Sequence, residues 1–124
     1  MKILEFAFVA YPVTDLERAR EFYEGTLGLK RASSPNDAEK FWFEYEIGPH
    51  TLGIGKSPNW KPSSDGPTVA LEVDDFDAAI AELKKKGARF HMEPMQAPVC
   101  RMAVIFDPDG NKITIHKRNA PTSG

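Results

Sequence analysis

Residues 13–29 read VTDLERAREFYEGTLGL, and residues 73–87 read VDDFDAAIAELKKKG. Laid over one another at an offset of sixty, they pair Val13 with Val73, Asp15 with Asp75, Leu16 with Phe76, Ala19 with Ala79 and Tyr23 with Leu83. Both carry apolar residues at helical spacing: Leu16, Ala19, Phe22, Tyr23 and Leu27 in the first, Phe76, Ala79, Ile80 and Leu83 in the second. Thr14 with Glu17 forms a capping-box pattern at the first start, and Gly25 and Gly28 are available to end that helix. Asp74 or Asp75 caps the second helix, and Gly87 stops it.

Working outward, each helix follows a β-rich run, ILEFAFVAYPV before the first and GPTVALEV before the second. Each precedes a short strand and then a hairpin. The first hairpin is KFWFEYEIGPHTLGIG, turning at Gly48-Pro49; the second is CRMAVIFDPDGNKITIH, turning at Asp109-Gly110, a pair suited to left-handed turn conformations. Leu52-Gly53-Ile54 matches Ile113-Thr114-Ile115 at nearly the same offset. SPNWKPSSDGP between the halves is a linker by its Pro, Ser and Gly content. The sequence therefore predicts one α+β domain of two βαβββ modules. Module one spans 1–56, the linker 57–67 and module two 68–118, with a frayed tail at 119–124. An unrelated α+β sandwich is the competing assignment.

Bulk properties exclude several function classes. The 124 residues carry a net charge of −2, which gives no basis for nucleic-acid binding. Lys84, Lys85 and Lys86 run into Gly87, where cations complement a helix C-terminus. Cys100 is the single cysteine, so no internal disulfide forms. The N-terminal MKILEFAFVAYPVTD carries Glu5 and breaks at Pro12, a poor signal peptide and too short to span a membrane. A cytoplasmic protein without a membrane partner is expected.

Strand alternation assigns faces. Val69, Leu71, Val73, Ile113, Ile115, Leu52, Ile54, Ala7, Val9, Tyr11, Phe43, Tyr45 and Ile47 are expected to face the helices. The other face then carries Phe6, Phe8 and Trp42 beside Glu44, Thr68, Glu72, Thr114 and His116, with Met102 a further ligand-contact residue. Large rings among a few convergent polar groups suit a small-molecule pocket, and they suit a subunit interface nearly as well.

The paired modules, the V-x-D-L-x-x-A-x-x-F-Y run at Val13 to Tyr23 followed by Leu27-Gly28-Leu29, and the DPDGN turn together resemble the vicinal oxygen chelate superfamily. That superfamily includes glyoxalase I, bleomycin-resistance proteins, fosfomycin-resistance enzymes and extradiol dioxygenases, and the likeness runs from about residue 3 to residue 118. The resemblance implies cupped mixed sheets around a cavity and a homodimer completing its sites. In the metalloenzymes it also implies a divalent cation held by His or Glu from the first and last strands of each module. Those positions fall on Phe8, Gly53, Thr68 and Thr114, none of which suits the role. No cofactor is expected, and a divalent metal only at a displaced site.

Three readings of His116 follow. The first is a displaced metal site with Glu72, Cys100 or His91 as partners. The second is metal-free acid–base or thiol chemistry by His116, Glu72 and Cys100, as in a lyase or isomerase. The third is binding without chemistry, with Phe6, Phe8 and Trp42 stacking an aromatic ligand, Glu44 and Glu72 neutralising a cationic one, and Thr68, Thr114 and His116 supplying hydrogen bonds. The third is favoured, as in bleomycin-resistance proteins, which sequester a drug. Ala70 is expected beside His116, with Glu72 diagonal and Cys100 opposite. Glu93 and Met95 are expected in a loop, His50 at an exposed turn, and Trp60 either over the pocket or anchoring the linker.

Overall fold

A computed structural model of the chain describes residues 1–32 and 40–119. It divides into two compact units, Met1–Pro62 and Ser63–Gly124. The first unit contains β1 (Val9–Pro12), α1 (Leu16–Arg20) running into a π-helical turn (Glu21–Thr26), then β2 (Lys30–Arg31), β3 (Trp42–Ile47) and β4 (His50–Gly55). The second contains β5 (Val69–Glu72), α2 (Phe76–Lys85), β6 (Arg89–Gln96), β7 (Cys100–Phe106) and β8 (Lys112–Arg118). Each unit forms a four-stranded mixed sheet, ordered β1-β4-β3-β2 and β5-β8-β7-β6. In each, the first strand lies parallel to the last and the remaining pairs are antiparallel. The α+β class and the βαβββ order are thus as the duplicated pattern predicts.

The helix starts correct one expectation. Asp15, not Thr14, is the N-cap of α1: its extended backbone turns the carboxylate onto the Arg18 N–H at 3.0 Å. Asp75 does the same for Ala78 in α2, so the caps themselves obey the offset of sixty. Thr14 instead accepts from the Arg18 guanidinium at 3.1 Å. Gly87, at φ +79°, closes α2, with Ala88 N–H bonding Leu83 C=O and Gly87 N–H bonding Lys84 C=O.

The helix-facing side of each sheet is the core. Tyr23, fully buried, stacks on Tyr45 at a 6.0 Å centroid distance, and Phe43 meets Tyr45 edge-on. The π-helical turn sets Glu24 over this stack, where it accepts from the Tyr45 hydroxyl at 3.0 Å and pairs with Arg20 at 3.1 Å. In the second unit Phe76, Ile80 and Leu83 are buried along with Ala103, Ile105, Ile113 and Ile115, and the Arg101 guanidinium lies 4.6 Å over the Phe76 ring.

Two further expectations are corrected. The segment holding Glu93 and Met95 is not a loop: it is β6, paired with β7 through two register shifts. Sheet pairing in the first unit begins only at Val9, which is 43% exposed rather than in the core. Of the expected frayed tail, Asn119 is held by Val99 and Pro98 carbonyls at 2.9 and 3.0 Å, and residues 120–124 lie outside the described ones. Among the described residues no helix is long and apolar enough to cross a membrane.

Candidate functional site

In the first unit the sheet face away from the helix is built on two glycines. Gly53 and Gly55 lie on β4 opposite Glu44 and Trp42 of β3. The Trp42 indole lies over both: a Cβ at Gly53 would stand 2.2 Å from its Cζ2, and one at Gly55 would stand 2.8 Å from its Cε3. Only glycine lets the ring approach the backbone this closely. The indole N–H donates to Glu44 Oε2 at 2.8 Å, which fixes the ring's rotation. Phe8 meets the ring edge-on at 5.3 Å. Trp60 joins them, its Cζ3 standing 2.9 Å from where a Gly55 Cβ would be. The segment around it is tied by a Ser57–Trp60 bridge. Trp60 thus lies against the sheet face while its backbone bridges within the linker. Phe6 does not join: it is 90% exposed and precedes the first paired residue.

The corresponding face of the second unit sets polar groups beside methionine side chains. Thr68 and Thr114 share a hydrogen bond of 3.0 Å, and Thr68 also donates towards Lys112 C=O at 3.2 Å. Glu72 is the direct partner of His116 in the β5–β8 register, and Ala70 is the partner of Thr114. The expected diagonal relation is therefore corrected. Glu72 Oε1 lies 2.5 Å from His116 Nδ1, while Oε2 accepts the Arg118 backbone N–H at 2.6 Å. That second bond has a structural cause. Val73 N–H to His116 C=O at 2.9 Å is the last main-chain bond of the pair, so the next β8 donor has no strand to bond. The Arg118 N–H and then His116 hold the Glu72 carboxyl below its ordinary range. Cys100 is opposite Arg118, not His116; the residue opposite His116 is Met102. Cys100 is buried and lies two residues from the pair it was expected to complete.

These positions do not fit a divalent metal. Phe8 and Gly53 offer no donor atom, and the indole covers Gly53. The Thr68 and Thr114 hydroxyls are neutral and engaged with each other. Among the described residues no three His, Cys, Asp or Glu side chains cluster as a ligand set.

Glu44 bonded to Trp42, the edge-on Phe8 and the Trp60 contact gain meaning only from the glycine floor. Alternation placed Trp42 and Gly53 on one face without revealing that one lies on the other. The signal was present: two glycines at alternate positions of a strand, facing a tryptophan across a two-residue turn.

Comparison with solved structures gives the architecture independent support. The chain superposes on a glyoxalase family protein from Bacillus anthracis with a TM-score of 0.82, at 24% identity, covering 96% of this chain and 98% of that one. It superposes on TnmS3, an antibiotic binding protein from Streptomyces sp. CB03234, with a TM-score of 0.80 at 28% identity, covering 96% and 99%. A glyoxalase/dioxygenase from Nostoc punctiforme gives 0.79 at 18% identity over 97% and 99%. No curated protein matches the chain. Residues 5–115 match the family model described as Glyoxalase/Bleomycin resistance protein/Dioxygenase superfamily.

Proposed function

Since the chain belongs to the Glyoxalase/Bleomycin resistance protein/Dioxygenase superfamily, we propose that it is a binding protein of the bleomycin-resistance kind, taking a small planar aromatic molecule without a metal. The observation that carries this reading is the Trp42 indole laid over Gly53 and Gly55, flanked by Phe8 and Trp60. A ring held flat and braced by Glu44 presents a stacking surface whose ordering cost is met before any ligand arrives. Glu44, on the same face, favours a ligand with cationic character. The likeness to an antibiotic binding protein at 28% identity supports the same class of ligand. The reading extends to a cytoplasmic homodimer with residues 57–67 as linker, and to no nucleic-acid or membrane partner.

Tryptophan fluorescence tests it, with 2-methoxynaphthalene as the neutral probe and acridine orange as the cationic one. Saturable quenching is expected with both. Trp42→Ala should weaken binding by about 1 kcal/mol, roughly fivefold in Kd, and Glu44→Gln should weaken acridine orange selectively. Equal affinities for Trp42→Ala and the parent would overturn the reading. A metal-free lyase or isomerase is the second reading, favoured only by the short His116–Glu72 bond, and it requires that His116→Ala abolish turnover of its substrate.

A further inference from the structure

One row of side chains crosses the open face of the second sheet: Glu72 on β5, His116 on β8, Met102 on β7 and Met95 on β6, each the direct cross-strand partner of the next. Adjacent strands are about 4.8 Å apart, so the row presents a carboxylate, an imidazole and two thioethers at regular intervals. The stacking surface of the first unit plays no part in it.

The proton positions follow from the bonds. Glu72 Oε2 is committed to the Arg118 N–H, which orients the carboxylate and turns Oε1 onto Nδ1. An ionised carboxylate can only accept, so Nδ1 carries the hydrogen, and in the tautomer this bond selects Nε2 is the lone-pair acceptor. Nε2 makes no hydrogen bond among the described residues, and the side chain keeps 21% of its surface exposed. Capping the end of the β5–β8 pair accounts for Oε2 alone; it gives no reason for Oε1 to fix an imidazole. On the side away from Glu72 the imidazole adjoins Met102, and Met95 beyond it is 43% exposed. Thioether sulfurs pack favourably against aromatic rings.

We propose that this row is a phenol-binding subsite, in which His116 Nε2 accepts the hydroxyl proton of the ligand while its ring lies on Met102 and Met95. The complete transfer is phenol O–H to Nε2, giving a phenolate and an imidazolium that Glu72 stabilises through Nδ1. A neutral donor fits better than a carboxylate ligand, which would meet the like charge of Glu72. Within two residues of the row on β5, β8 and β7, the charged side chains sharing this face are Glu72 and Arg118.

The experiment is a visible-absorbance titration of the full chain with 4-nitrophenol, below that phenol's own pKa, where the free compound is mostly neutral. A saturable rise of the phenolate band is expected. His116→Gln, which keeps a hydrogen-bonding side chain but cannot take the proton, should bind without the band. Glu72→Gln should reduce the band by freeing the ring tautomer, and Met102→Ala should weaken affinity several-fold with the band intact. The phenolate band reads His116 alone, whereas the stacking surface is read by the fluorescence titration of Trp42→Ala, which separates the two: either can fail alone. No saturable change with the parent protein, or an undiminished band in His116→Gln, would overturn the proposal. A Glu72→Gln spectrum equal to the parent's would overturn the orienting role of the carboxylate.

Discussion

Gly55 lies beneath both indoles, so its substitution has a readable consequence. Gly55→Val should displace Trp42 and Trp60 together, shift the fluorescence maximum and cost about 1–3 kcal/mol in denaturant titration. Tyr45 offers a second test. Its phenol is pushed well above its ordinary value, first by burial and then by the Glu24 hydrogen bond. A folded-state pKa raised in this way stabilises the protein fully below the unfolded value of 10.0 and loses that contribution as pH rises beyond it. Alkaline unfolding should therefore set in above that pH and be blunted in Tyr45→Phe, which itself costs about 1 kcal/mol at neutral pH. Residue identities were legible where alternation alone decided them, as for Trp42, Glu44, Thr114 and His116. They were not where a strand's true start mattered: Phe6 was assigned to a face that its segment never joins.

Elements tell a different story. Asp15→Ala and Asp75→Ala should each lower stability by about 1 kcal/mol, measured by thermal or urea unfolding, because each removes the acceptor for an orphan helix N–H. Thr14→Ala should cost less, since the guanidinium its hydroxyl accepts from is exposed. The capping-box pattern pointed to Thr14 while the offset of sixty already paired Asp15 with Asp75; the internal duplication was the better guide. The DPDGN turn shows how much one residue can hold. Asp107, 1% exposed, accepts from the backbone of Asp109 and Asn111 and from the Asn111 amide, at 2.9, 2.9 and 2.8 Å. The π-helical turn was illegible because Leu16, Ala19, Phe22 and Tyr23 satisfy an ordinary helical stripe as well. The register of β5 on β8 was also beyond reach. Sliding one parallel strand by two residues keeps every side chain on its face, so the hydrophobic pattern cannot choose between Ala70 and Glu72 as the partner of His116.

At the scale of the whole molecule, acid stability gathers several of these contacts. Glu72 is lowered by the Arg118 N–H and His116, and Asp77 is lowered by the Arg101 guanidinium at 2.7 Å. Depressed carboxyl pKa values stabilise the fold above the ordinary values of 4.5 and 3.8 and lose that contribution as pH falls below them. Thermal melts should thus fall steeply under acid, and less steeply in Glu72→Gln. The two-module plan was legible because both halves encode the same order of strands and helix, and each unit repeats it. The division of labour was not, since it depends on which side chain lies upon which. That division also constrains the paths open to this lineage. A coordinating histidine introduced at position 53 would collide with an aromatic plane already resting there, so it would damage the protein unless residue 42 had shrunk beforehand. Recruiting a cation at this strand would need two replacements in a fixed sequence, and the first would surrender the indole's seat on the glycines before the second brought any benefit.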